Sequence, residues 1–219
     1  MARTRPLLRS LIALSLGLPG VALAYPTGLN LIPTADVLEP GALSVQVESD
    51  GYPTPFSPGT VGYVMAEVGL AKRLEAGVDL MDINAGTRLQ VNAKWQFVPE
   101  SAHLPAMAIG LLDVEHTADF NGPYLALAKG AGDFRLHAGW LTRRGQRAML
   151  GAEYWPTDRT GIYADWTSGA GAYHSLGITQ DVGHGLWVSA YYARGNTDGA
   201  EDFVGLNLDW EASLRHARR

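Results

Sequence analysis

Cysteine is absent from the 219-residue sequence, and charged residues make up only 18% of it. Small exported domains that lack a large core usually depend on disulfides, so this chain must be held together by burial and hydrogen bonding alone. Long apolar runs are also missing. No run of about 18 apolar residues follows residue 24, which excludes membrane-spanning helices in that part of the chain.

The first 24 residues have the composition of a secretory signal peptide. Arg3, Arg5 and Arg9 supply a positive start, "LIALSLGL" is a short apolar run, and Ala22-Leu23-Ala24 forms a small-x-small cleavage site. We therefore expect cleavage before Tyr25. Removing the three arginines leaves 14 basic and 22 acidic residues, a net charge of −8. An acidic exported chain is unsuited to binding nucleic acid.

From residue 42 onward, segments that alternate apolar and polar residues recur between turn-forming residues. The clearest is "RLQVNAKWQF" (88–97), with Leu89, Val91 and Trp95 on one side and Gln90, Asn92 and Lys94 on the other. The segments 105–115 and 123–129 are apolar on both faces, and the first is compatible with a buried helix. In all, we count twelve strands, with ten or fourteen as alternatives.

The polar side of these segments distinguishes two kinds of all-β protein. A soluble β-sandwich would place many Lys, Glu and Thr residues on its solvent face. Here the polar side is largely Gly, Ser, Gln and Asn, which suits the narrow interior of a barrel. We predict an antiparallel up-and-down transmembrane β-barrel of about 12 strands. Its predicted parts are the signal peptide 1–24, a periplasmic N-terminal segment 25–41, the barrel 42–210 and a basic tail 211–219.

Aromatic residues gather at the ends of the predicted strands, where membrane interfaces would lie. The segment "GLNLDW" (205–210) also resembles the C-terminal insertion signal of outer-membrane barrels, although nine residues follow Trp210. The predicted interface aromatics are Trp95, Phe97, Trp140, Tyr154, Trp166 and Trp210.

Charged residues on the polar side are predicted to line the lumen. They either pair into a polar network that closes and stabilises the barrel or line a narrow aqueous path. The predicted lumen-lining residues are Glu48, Glu67, Glu75, Asp79, Arg88, Lys94, Arg135, Glu153, Asp165 and Asp209.

No catalytic or metal-binding motif stands out in the sequence. The six histidines are scattered without metal-ligand spacing. His174 and Ser175 are adjacent in a predicted strand and therefore point to opposite faces. We expect no cofactor, no metal and no enzymatic activity, with an outer-membrane lipid-modifying enzyme as the least favoured alternative.

The segments "TGLNLIPTADVLEPGALSVQVE" (27–48) and "VGLAKRLEAGVDL" (68–80) resemble the start of the YjbH-type outer-membrane proteins. The resemblance rests on Gly28, Leu29, Pro33-Thr34-Ala35 and Gly41. It implies an outer-membrane location and a role in exopolysaccharide production and export, and it supplies no catalytic residue. The expected partners are outer-membrane lipids and lipopolysaccharide, the barrel-insertion machinery and polysaccharide-export components.

The function predicted from the sequence is that of a small non-enzymatic outer-membrane barrel, acting as a narrow channel or as an accessory to exopolysaccharide export. The alternative is a structural or adhesive barrel with a blocked lumen and partner-binding loops.

Overall fold

The alternating segments form twelve antiparallel strands in a computed structural model that describes residues 27–112, 122–142, 147–197 and 200–213. Each strand pairs with its neighbours in sequence, and β12 pairs with β1, so the sheet closes. The predicted closed twelve-stranded barrel is confirmed. The strands are β1 (Ala42–Gly51), β2 (Val61–Ala71), β3 (Leu74–Met81), β4 (Arg88–Val98), β5 (Ala106–Leu112), β6 (Gly122–Ala131), β7 (Phe134–Leu141), β8 (Arg147–Thr157), β9 (Thr160–Thr167), β10 (Tyr173–Gly183), β11 (Leu186–Gly195) and β12 (Phe203–Ser213).

Closure depends on the pairing of the first and last strands. Their register runs without a break from Ala42 opposite Ser213 to Gly51 opposite Val204. A closed sheet leaves no strand edge with unpaired N–H and C=O groups. Within the described ranges, no helix is long and apolar enough to cross a membrane.

The connections between strands differ at the two ends of the barrel. At the end that we call the turn end, four of the five connections have two residues, and only 99–105, between β4 and β5, is longer. At the opposite end, which we call the loop end, the connections are longer, such as 52–60 between β1 and β2. Gly132 and Gly185 adopt positive φ in two of the short turns, a conformation that costs little without a Cβ.

Large apolar side chains cover the outer face of the barrel. Leu176 is 61% exposed, Leu136 53% and Val47 47%, whereas a soluble protein would bury residues of this kind. Outward aromatics lie near both ends of the strands. Trp95, Tyr154 and Trp210 are near the turn end, and Trp140 and Trp166 are near the loop end. Phe97 is also near the turn end, where its side chain is half-buried.

The two segments without clear alternation are strands β5 and β6. The helix considered for 105–115 is wrong over residues 106–112, while residues 113–115 lie outside the described ranges. The inward residues of β5 and β6 are apolar because they pack against apolar residues of the N-terminal segment inside the barrel. Ala106, Ala108, Ala126 and Ala128 are all buried in one cluster with Ile32 and Ala35 of the N-terminal segment.

The segment 27–40 therefore lies inside the barrel, and we call it the plug. From the sequence we predicted a periplasmic N-terminal segment over residues 25–41, and the structure places residues 27–40 of it within the lumen. The observed placement has a physical reason. Ile32 and Ala35 are 1% and 0% exposed, and the Ala-rich wall of β5 and β6 leaves room for them. Residues 25 and 26 lie outside the described ranges.

Candidate functional site

The plug is a tight loop that folds back on itself within the lumen. The Thr34 N–H donates to the Thr27 carbonyl at 3.1 Å, and the Leu29 N–H donates to the Ile32 carbonyl at 2.9 Å. Gly28 and Pro33 form an isolated antiparallel bridge between these two contacts. This internal bonding satisfies backbone groups that no strand of the barrel pairs.

The apolar side of the loop packs against β5 to β8. Leu29 and Ile32 lie against Gly151 of β8, where a Cβ atom would come within 2.5 Å of Leu29 Cδ1 and 3.0 Å of Ile32 Cδ1. A side chain at position 151 would therefore require Leu29 and Ile32 to shift. Met149 belongs to the same buried cluster. The apolar contacts thus fix the plug against one side of the barrel wall.

The tip of the loop is held by polar groups of β9 and β10. The Leu31 N–H donates to Asp165 Oδ2 at 2.9 Å, and Asn30 Nδ2 donates to Ser175 Oγ at 2.9 Å. Ser175 Oγ in turn donates to Asp165 Oδ1 at 2.8 Å. Asp165 and Ser175 therefore bind the tip of the loop to the barrel wall.

The base of the loop is held by a buried ion pair between β3 and β4. Lys94 Nζ lies 2.8 Å from Glu75 Oε1, and both side chains are fully buried. Lys94 also donates to the Thr27 carbonyl at 2.8 Å and to Thr27 Oγ1 at 2.5 Å. Glu75 Oε2 accepts the Leu38 N–H at 2.8 Å. One ion pair therefore holds both ends of the plug.

A second ion-pair group, near the turn end, joins the plug to β7. Arg135 Nε and Nη2 donate to Asp36 Oδ2 and Oδ1 at 2.8 and 2.6 Å, while Nη1 donates to Glu100 Oε2 at 2.6 Å. The hydrogen bond from Arg135, together with the Gly130 N–H, lowers the pKa of Glu100 to about 2. Arg135 is thus shared between the plug and the β4–β5 connection.

Toward the loop end, the lumen carries a cluster of acidic groups. Tyr191 Oη donates to Glu48 Oε1 at 2.5 Å and lies 3.0 Å from Asp50 Oδ1. Gln46 Nε2 donates to Glu48 Oε2 at 2.9 Å. Nearer the turn end, Ser44 Oγ donates to Asp209 Oδ1 at 2.8 Å. The wall of β1, β11 and β12 is therefore polar and acidic, opposite in character to the wall of β5 and β6.

The structure places most of the predicted lumen residues on the inner face. Arg88 differs, because it lies at the rim of the loop end, paired with Asp82. The buried members are Glu48, Glu67, Glu75, Asp79, Lys94 and Asp165, and the half-buried ones are Arg135, Glu153 and Asp209.

Several residues that build the site escaped the sequence analysis. Thr27 and Asp36 lie in the irregular plug, where no period assigns a facing. Glu100 lies in a connection. Asp50 and Tyr191 do lie in alternating segments, and their parity could have identified them. His174 and Ser175 point to opposite faces, with His174 exposed and Ser175 buried.

A model of the family described as "Exopolysaccharide biosynthesis protein YbjH" matches residues 26–171, well over half of the chain. The chain belongs to the YjbH family. The matched range includes the whole plug and the strands β1 to β9 that hold most of it. No curated protein matches the sequence.

Solved structures are similar to this YjbH-family chain at low sequence identity. A structure from work on the in-meso crystallization of membrane proteins has a TM-score of 0.53 and 8% identity, over 80% of this chain and 84% of that chain. A triple-mutant porin of Rhodopseudomonas blastica has a TM-score of 0.41 and 13% identity, over 69% of this chain and 55% of the porin, so the match spans about half of the porin. OmpT with loop L8 deleted, an outer membrane protein of Vibrio cholerae, has a TM-score of 0.43 and 11% identity, over 78% and 98% of the two chains.

Proposed function

We propose that this protein is a non-enzymatic barrel of the outer membrane that acts as an accessory in exopolysaccharide export, with its lumen closed by its own plug. The observation that carries the proposal is the position of residues 27–40. They occupy the lumen, contact the walls from β3 to β10, and lie within the range matched by the exopolysaccharide family.

The outer surface supports a membrane location. The apolar side chains that the barrel leaves exposed, such as Leu150 and Ile178, are 54% and 50% exposed and would be covered by lipid acyl chains. The polar and charged groups are turned inward, the reverse of a soluble protein. The partners that follow from this location are outer-membrane lipids, lipopolysaccharide and the barrel-insertion machinery.

An accessory role agrees with the chemistry of the lumen. Carboxylates of the wall hold the plug, since Glu75 accepts the Leu38 N–H and Asp165 accepts the Leu31 N–H, and Asp36 of the plug pairs with Arg135 of β7. Ser175 donates to Asp165 and is separated from His174 by the sheet. Glu75, Asp165 and Ser175 thus have structural contacts with the plug or with each other that account for their presence, and the polysaccharide-export components are the proposed partners.

Export is tested by deleting the gene from its own host and measuring polysaccharide in the medium and in the cells. We expect the secreted fraction to fall severalfold and the cell-associated fraction to rise, with both restored by the wild-type gene. A His103→Gln copy, changed at an exposed position in the β4–β5 connection, serves as the matched control and should also restore secretion. Unchanged secretion in the deletion strain would refute the export role.

A second candidate, a gated narrow channel for cations, is favoured by the charge of the lumen wall. The acidic cluster of Glu48 and Asp50 lies toward the loop end, away from the base of the plug. On the inner face, acidic residues outnumber Lys94 and Arg135. Rings of acidic side chains select cations in pores, so a lumen freed of its plug would favour cations over anions.

Removal of the plug distinguishes the two candidates in planar bilayers. We expect the full chain to be silent, because residues 27–40 lie in the lumen and are bonded to its walls. A chain lacking 27–38 should give conductance steps with a reversal potential that shows cation preference. Heat-modifiable gel migration must show that both chains are folded. A folded but silent deletion variant would mean that the wall itself closes the lumen, and steps from the full chain would contradict closure by the plug.

A further inference from the structure

Three potential metal ligands meet where the plug crosses β7 and β8. Asp36 of the plug, His137 of β7 and Glu153 of β8 each offer one ligand atom, and these atoms lie within 4.8 Å of one another. His137 Nε2 is 2.7 Å from Glu153 Oε1. Asp36 and His137 are 101 positions apart in sequence, and His137 and Glu153 are 16 apart, so no local sequence motif indicates the group.

His137 lies on the inner face of β7 with one ring nitrogen unpaired within the described part of the chain. The residue is 5% exposed, and among the described residues its Nδ1 atom is buried without a hydrogen-bond partner. A buried polar atom without a partner destabilises the folded state. The wall here is otherwise well bonded, since Glu153 Oε2 accepts the Trp155 indole N–H at 2.8 Å. The imidazole is thus held through Nε2 by Glu153, while Nδ1 has no hydrogen-bond partner among the described residues.

The local charge favours a cation. The hydrogen-bond partners of Glu153 among the described residues are His137 and Trp155, and neither carries a permanent positive charge. Arg135 neutralises Asp36, but it leaves the charge of Glu153 uncompensated. A divalent ion would balance this excess.

We propose that Asp36, His137 and Glu153 bind a divalent transition metal ion of the zinc class. One imidazole nitrogen and two carboxylate oxygens are typical ligands of Zn²⁺, which accepts three protein ligands and a water. Ca²⁺ and Mg²⁺ prefer all-oxygen sites and are not expected to compete. The ion fastens the plug to the barrel wall, because one ligand lies on the plug and two lie on neighbouring strands.

The test uses the full chain, extracted in detergent without a polyhistidine tag, freed of metal with a chelator and titrated with Zn²⁺. We expect one Zn²⁺ per folded chain. His137→Gln and Glu153→Gln should each weaken binding by more than about tenfold, since even groups that only support a ligand contribute that much. His103→Gln, at an exposed histidine outside the site, should bind as the wild type does. Excess Ca²⁺ should leave the titration unchanged.

Two outcomes would overturn the site: no Zn²⁺ bound by the folded wild-type chain, or equal binding by wild type, His137→Gln and Glu153→Gln. Heat-modifiable migration shows whether each variant is folded. If a variant does not fold, Co²⁺ added to the wild-type chain decides the question. Ligand-field absorption that one equivalent of Zn²⁺ abolishes supports the site, and the absence of such bands overturns it. None of these results depends on the role in export.

Discussion

Replacing Lys94 with methionine is expected to destabilise the folded barrel by about 3–5 kcal/mol, the usual cost of removing one partner of a buried ion pair. Lys94 and Glu75 are both fully buried. Without the ammonium group, the Glu75 carboxylate would lose its ion-pair partner and remain buried near the Glu67 carboxylate, which is 1% exposed. The Thr27 carbonyl and Thr27 Oγ1 would also lose the hydrogen bonds from Lys94, so the base of the plug would loosen.

The measurement is urea unfolding of the refolded protein in lipid vesicles, followed by tryptophan fluorescence. Lys129→Met is the matched control, because Lys129 also pairs with a carboxylate, Glu100 at 3.3 Å, but its side chain is 39% exposed. An exposed pair of this kind contributes about 1 kcal/mol or less. Equal effects of the two lysine substitutions would show that the Lys94 pair is not buried in the folded protein.

Replacing Val47 with arginine is expected to cost about 2–4 kcal/mol if the residue lies near the bilayer midplane. Val47 is in the second half of β1, and its side chain is 47% exposed on the outer face. An arginine there would place a charge in hydrocarbon. The cost should appear both in the free energy of unfolding in vesicles and in a smaller folded fraction on heat-modifiable gels.

Gln46→Arg is the matched control for this prediction. Gln46 is the preceding residue of the same strand, and its side chain points into the lumen, where Nε2 donates to Glu48 at 2.9 Å. An arginine at this position would meet an acidic group and should cost clearly less than Val47→Arg. A larger cost at position 46 than at position 47 would contradict the assignment of lipid-facing and lumen-facing sides.

Alternation predicted the strands and their facing because side chains in a β-strand point to opposite faces in turn. In β4, Gln90, Asn92 and Lys94 are buried inside, as their parity indicates, while Leu89 and Trp95 are exposed outside. Closure followed from the same pattern, since a membrane sheet cannot leave an edge unpaired. Strands β5 and β6 were harder to interpret because their inner face is also apolar, and the reason lies in a segment distant in sequence.

The plug could not be located from the sequence. Its loop has no period, and the groups that hold it come from distant positions. Lys94 is 67 residues from Thr27, Arg135 is 99 residues from Asp36, and Asp165 is 134 residues from Leu31. The charged residues of the inner face were predicted as a set, but their partners depend on which strands the barrel brings together across the lumen.

The amino-acid sequence by itself determined an antiparallel barrel. A period of two over many short segments separates an apolar side from a polar side, and closing the sheet gives the backbone N–H and C=O groups of every strand a partner. Only the tertiary structure decided that a segment of the chain lies inside the barrel and which residues hold it there. Contacts across the lumen join residues that are close in space after closure and far apart along the chain. Such pairs produce no periodic pattern in the sequence.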